Sequence, residues 1–122
     1  MISYVTLGTN KYEVAAAFYD ALLGDIGASR VMEADNFIAW GVNPKSAMLS
    51  IIIPADGNAA TVGNGVMVAI GMDSTDKVDA FHAKALELGG TDEGAPGQRF
   101  EGFYAAYFRD LDGNKLNAFC MT

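Results

Sequence analysis

The sequence predicts an α+β fold made of two like units, each running strand, helix and then two or three further strands. Three observations predict it. The chain resembles itself at a long spacing. Each copy opens with an alternating apolar run that leads into a helical stripe, and each closes on runs of two-residue period. With 122 residues, 51% of them apolar and 19% charged, the chain has the composition of one ordered domain rather than of a disordered segment.

The elements follow in order. "ISYVTL" (residues 2–7) alternates as a half-buried strand does. Asn10, with Glu13 three positions on, has the pattern of a helix cap: the amide oxygen takes a first-turn N–H and the acid reaches back. A helix from near residue 11 carries Val14, Phe18, Ala21 and Leu22 on one face, and Gly24 and Gly27 stop it. "FIAW" (37–40) and the run around Leu49 and Ser50 supply further strands. "PADGNAATVGNG" (54–65) is turn-rich and short of large apolar residues. The expected organisation is one domain over 1–122, with module one at 1–54, a linker at 55–64 and module two at 65–122.

The second copy emerges when residue 67 is laid on residue 4, an offset of 63. Val68 then falls on Val5, Gly71 on Gly8, Phe81 on Phe18 and Leu86 on Leu23, while Asp73 and Asp76 repeat the cap. A helix from near residue 74 shows Val78, Phe81, Ala85 and Leu88 on one face, with Gly89 and Gly90 behind it. Further along, residue 107 falls on residue 40, an offset of 67. "YAAY" lies over "FIAW", pairing Phe37 with Tyr104 and Trp40 with Tyr107; Leu49 meets Leu116 and Ser50 meets Asn117.

A unit of this kind covers one face of its sheet with its own helix and leaves the other for a ligand or a partner. Paired modules form a curved sheet around a cleft, with the helices on the outer face. Alternation sends Val5, Leu7, Leu49, Val68, Ile70 and Leu116 under the helices. It sends Tyr4, Thr6, Ser50, Met67, Asn117 and Phe119 into the cleft.

The segments "ISYVTLGTN", "AAFYDALLGDIG", "GVMVAIGMDSTDKVDAFHAKALELGG" and "YFRDLDGNKLNAF", in this order, resemble the glyoxalase/bleomycin-resistance/dioxygenase family, or vicinal oxygen chelate superfamily. The resemblance covers essentially the whole chain. Its last segment is close to the family's closing Asp-Pro-Asp-Gly-Asn turn, with Leu111 in place of proline. It implies paired βαβββ modules, commonly dimeric, and in the family's enzymes a divalent metal held by His, Glu or Gln from four equivalent strands. Those positions fall here on Tyr4, Ser50, Met67 and Asn117. A phenol of pKa ~10, a hydroxyl, a thioether and a carboxamide are poor ligands for such a cation. No family-type metal site is expected, and no cofactor is implied.

The formal charge of −7 repels phosphates, so nucleic acid is not an expected partner. No leader opens the chain and no apolar run reaches bilayer length, so a cytoplasmic protein with no membrane partner is expected. Cys120 is the single cysteine and reads as a small buried hydrophobe. His82 reads as a surface or half-buried residue with no partner near it in sequence. "DLDGN" (110–114) reads as a structural turn, because its glycine stands fourth rather than at the calcium-loop position. "GQRFEG" (97–102) reads as a mobile loop that either offers Arg99 to an anionic ligand or leaves it in solvent. The aromatic residues Tyr4, Phe37, Trp40, Tyr104 and Tyr107 either wall the cleft or fill the core, the repeat sending one of its two aromatic pairs into the cleft from both modules.

Three functions fit. The first is metal-free binding of a small organic molecule, with Tyr4, Phe37, Trp40, Ser50, Met67, Tyr104, Tyr107 and Asn117 as ligand-binding residues. The second is a glyoxalase-like lyase or isomerase for a small oxygenated or glutathione-linked substrate, with Tyr4 as general acid and Arg99 steadying an enediolate. The third is a non-catalytic dimeric assembly partner. A homodimer is expected throughout.

Overall fold

The computed structural model describes residues 1–122. Its elements are β1 (Tyr4–Gly8), α1 (Tyr12–Gly24), β2 (Ser29–Ala34), β3 (Phe37–Gly41), β4 (Met48–Ile52), β5 (Val68–Gly71), α2 (Thr75–Glu87), β6 (Thr91–Phe100), β7 (Phe103–Arg109) and β8 (Lys115–Met121). They form two compact units, Met1–Val62 and Gly63–Thr122. Each is a βαβββ unit with its own four-stranded sheet, ordered β1-β4-β3-β2 and β5-β8-β7-β6. The first strand of each lies parallel to the last, and the other pairings are antiparallel. No helix is long and apolar enough to cross a membrane.

In the first unit α1 buries Ala15, Phe18, Tyr19, Leu22 and Leu23, the i, i+3, i+4, i+7, i+8 stripe of an amphipathic helix. Val14 is 52% exposed, so the expected face is turned by one residue. The small Ala15 and Ala16 allow close approach, and Tyr19 packs on Trp40 with ring centroids 5.6 Å apart. Leu7, Ile38, Trp40, Leu49 and Ile51 complete this core. In the second unit Val78, Phe81 and Ala85 of α2 bury against a sheet whose inner residues include Phe108, Leu116, Ala118 and Cys120. Each large side chain here contributes about 1.5–3 kcal/mol.

The helix starts differ from expectation. Asn10 does not cap α1. Its Nδ2 donates to the Ala60 carbonyl at 3.1 Å and its Oδ1 accepts from the Ala60 N–H at 2.8 Å, tying the start of the helix to residue 60. Lys11 precedes the helix, and its N–H donates to Thr9 Oγ1. At α2 the cap is Ser74, whose Oγ accepts from the Lys77 N–H at 3.2 Å. Asp73 instead pairs with the Lys77 ammonium at 2.8 Å.

The "DLDGN" segment is a self-bonded turn between β7 and β8. Asp110 Oδ1 accepts from the N–H groups of Asp112 and Asn114, each at 2.9 Å, and Asp110 Oδ2 accepts from Asn114 Nδ2. Gly113 takes φ +90°, open to glycine at no steric cost. The expected mobile loop at 97–102 is mostly strand, because β6 runs on to Phe100. This edge strand absorbs its glycines and Pro96 through irregular pairing between Asp92 and Gly97.

Candidate functional site

Each sheet has one face under its helix and one face free of it, and alternation along paired strands fixes which side chains share a face. In the first unit the central row of the helix-free face is Thr6, Ser50 and Ala39, on β1, β4 and β3. Tyr4 stands one row below, opposite Met48, and Phe37 one row above, opposite Ile52. Their rings meet edge to face at 5.9 Å, across the row that holds Ser50. Ser50 is 0% exposed, and its Oγ has no hydrogen-bond partner.

The corresponding row of the second unit is Ala69, Asn117 and Tyr107, on β5, β8 and β7. Asn117 is 1% exposed, and its Oδ1 also has no partner. These two atoms, at the same place in two separately folded sheets, are the molecule's only buried side-chain polar atoms without a partner. An unpaired buried polar group costs about 1–3 kcal/mol. The fold carries that cost twice, at equivalent positions of its two sheets.

Tyr107 is flanked by two cations. The Arg99 guanidinium carbon lies 5.3 Å from its ring centroid and the Lys115 ammonium 5.4 Å. Arg99 is a β6 side chain, not a loop charge, and its Nη atoms donate to the carbonyls of Gly97 at 3.0 Å and Ala95 at 2.6 Å. Arg109 is paired with Glu93 at 2.8 Å, and this hydrogen bond holds the Glu93 carboxyl below its usual range.

The structure corrects the aromatic pairing. Leu49 faces Trp40, but Leu116 faces Phe108, so the offset between β3 and β7 is 68 rather than 67. A one-residue slip moves each side chain to the other face. Trp40 therefore lies under α1, its Nε1 donating to Asp20 Oδ1 at 2.9 Å. Tyr104 lies on the α2 side, its hydroxyl donating to Asp79 Oδ1 at 2.7 Å. Neither is on a helix-free face. No aromatic pair is placed symmetrically: Phe37 is on the free face of one unit and Tyr107 on that of the other.

Of the remaining expected residues, Tyr4, Phe37 and Ser50 come together in the first unit, and Arg99, Tyr107 and Asn117 in the second. Met67 is exposed immediately before β5. Gly97, of the expected "GQRFEG" segment, lies against Arg99, and Lys115 and Gly94 join them without a sequence signal. His82 is buried rather than on the surface or half-buried, and its partner is Asp92 at 3.0 Å, ten residues on. The Asp92 carboxyl is held low, first by the Gly94 N–H and then by His82. The donors at the four family metal positions do not fit a divalent cation, and no three His, Cys, Asp or Glu side chains converge anywhere in the chain.

The family model for the Glyoxalase/Bleomycin resistance protein/Dioxygenase superfamily matches residues 1–118. A solved glyoxalase/bleomycin resistance protein from Albidiferax ferrireducens is 37% identical, with 100% of this chain and 99% of that one covered and a TM-score of 0.90. A glyoxalase/bleomycin resistance protein/dioxygenase family enzyme from Burkholderia phytofirmans is 18% identical, covering 98% of each chain, with a TM-score of 0.80. A lactoylglutathione lyase from Agrobacterium tumefaciens is 19% identical, covering 98% of this chain and 92% of that one, with a TM-score of 0.73. The last two show likeness of fold. No curated protein matches the chain.

Proposed function

Because the chain belongs to the Glyoxalase/Bleomycin resistance protein/Dioxygenase superfamily, we propose that it binds a small organic molecule on the helix-free faces of its modules, without a metal. The observation that carries this reading is the pair of buried, unpartnered atoms, Ser50 Oγ and Asn117 Oδ1. Tyr4, Phe37, Met67 and Tyr107 are the proposed apolar and phenolic contacts around them, whereas Trp40 and Tyr104 are left out by their position under the helices. The proposed setting is the cytoplasm, where a lone buried thiol such as Cys120 stays reduced.

The test is a thermal-shift and calorimetric screen of small ligands on protein treated with chelator. A ligand at a hundred times its Kd stabilises by about 2.7 kcal/mol, which is readily measured. Saturable stabilisation that weakens in Ser50→Ala and Asn117→Leu, with no product formed, supports the proposal. Conversion of a thiol adduct or α-hydroxy ketone by the metal-free protein replaces it with the lyase or isomerase reading. That alternative takes Tyr4 as the acid; Arg99, its expected second residue, belongs to the other unit, on β6. Tyr4→Phe then removes the activity if the alternative is right.

The proposal includes a homodimer. Val31, Met32 and Met121 are large apolar side chains left exposed that such an interface would cover.

A further inference from the structure

The helix-free face of the second unit is polarised along its strands. At one end Arg99 and Lys115 flank the Tyr107 ring, and neither cation has a carboxylate within ion-pairing distance. The nearby carboxylates are committed elsewhere: Glu93 to Arg109 and Asp92 to His82. At the other end three rings stack. Phe100 and Phe103 lie 4.8 Å apart at 4°, and Phe103 and Phe119 lie 5.3 Å apart at 26°. Asn117 stands in the row of Tyr107, with its buried acceptor Oδ1 unpartnered. Phe119 is two residues along the same strand, about 7 Å away at strand rise.

The cationic end is built rather than accidental. A Cβ on Gly94 would come within 3.1 Å of Arg99 Nη2 and 3.2 Å of the Tyr107 ring, and one on Gly97 within 3.1 Å of Arg99 Nη1. Two glycines thus leave the space that the guanidinium fills, and two backbone carbonyls hold it there. Cations kept unpaired in a chain of net charge −7 are a local reversal of its overall sign.

We propose that this face selects a small organic anion with an aromatic body and one hydrogen-bond donor: the anionic group at Arg99 and Lys115, the donor at Asn117 Oδ1 and the ring against the phenylalanine stack. This rests on the binding function proposed above and names its ligand class. A carboxylate between two cations forms charge-assisted bonds. A hydroxyl or N–H placed one row inward satisfies the orphaned acceptor. The third partner is an aromatic surface that a ring meets in offset or edge contact.

The test uses four probes on the full-length protein, by calorimetry at low and moderate salt. Phenyllactate carries anion, hydroxyl and ring; its methyl ester lacks the charge; hydrocinnamate lacks the hydroxyl; phenylalaninol has a hydroxymethyl group in place of the anion and an ammonium in place of the hydroxyl. Phenyllactate is expected to bind at least tenfold more tightly than the ester or phenylalaninol, and to weaken with salt. Arg99→Gln and Lys115→Gln should each remove most of the preference for phenyllactate over its ester, a change in selectivity that a merely structural role would not give. Asn117→Leu should erase the difference between phenyllactate and hydrocinnamate. Equal or tighter binding of phenylalaninol or the ester overturns the anion selection and leaves the binding function standing. Failure of all four probes and of every compound in the wider screen overturns both.

Discussion

The Trp40 indole donates to the Asp20 carboxylate at 2.9 Å, so a sheet residue is bonded to the helix that covers it. The same carboxylate takes the Nε and Nη2 groups of Arg30 at 2.9 and 2.7 Å. Asp20→Ala leaves a buried indole N–H unpaired and leaves the guanidinium with Glu33 alone as its carboxylate partner. It should destabilise the protein by about 1–3 kcal/mol in urea unfolding, with a shift in Trp40 fluorescence as the ring loses its partner.

Acid stability follows from four carboxyls held below their usual range: Asp20 chiefly by Arg30, Asp73 by Lys77, Asp92 by the Gly94 N–H, and Glu93 by Arg109. In the unfolded chain such groups titrate near ~4. Between that value and the lower folded values the unfolded state binds more protons, so stability rises with pH. Their contribution is complete above the unfolded range and is lost as the pH falls through the folded values. Urea midpoints measured from pH 2.5 to 7 should drop on the acid side, and Asp20→Asn should flatten the drop.

Ser50→Ala deletes a hydroxyl that is buried and unpaired. The free protein should gain about 1 kcal/mol, while ligand-induced stabilisation shrinks. A variant that loses stability instead would show that the hydroxyl has a partner inside the protein.

Gly90 has little room for a side chain: a Cβ there would sit 2.8 Å from the Ala85 carbonyl oxygen and 2.9 Å from that of Arg109, both backbone atoms. Gly90→Ala should cost about 2–3 kcal/mol. Gly24, at the end of α1, has nothing within 4 Å of the same position, and Gly24→Ala should gain about 0.4–1 kcal/mol. Thermal unfolding of the two variants tests the contrast.

Sedimentation should report twice the 12.9 kDa chain mass at micromolar concentration. A monomer under those conditions would remove the homodimer from the proposed function.

The fold was largely legible because its signals are periodic. Val5, Leu7, Val68 and Ile70 alternate correctly, and the offsets of 63 and 67 hold for β1 with β5 and for β4 with β8. That is why Ser50 and Asn117 could be matched before their surroundings were known. "FIAW" over "YAAY" failed because both read as apolar and aromatic in either register, so one extra residue in the second copy left no trace. Arg99 was misread because Gly94, Pro96 and Gly97 signal a loop, whereas an irregular edge strand tolerates them. Asp92 was missed as the partner of His82 because the two are joined by tertiary packing, not by helical spacing.

In each unit the opening strand is hydrogen-bonded to the closing one, β1 to β4 and β5 to β8. Each half thus carries every strand of its own sheet and borrows none. A gene of half this length would already encode a complete sheet, and copying it in tandem would need no rewiring of the backbone. The two halves differ on their free faces, one carrying a phenol crossed with a phenyl ring and the other a guanidinium set against a phenol.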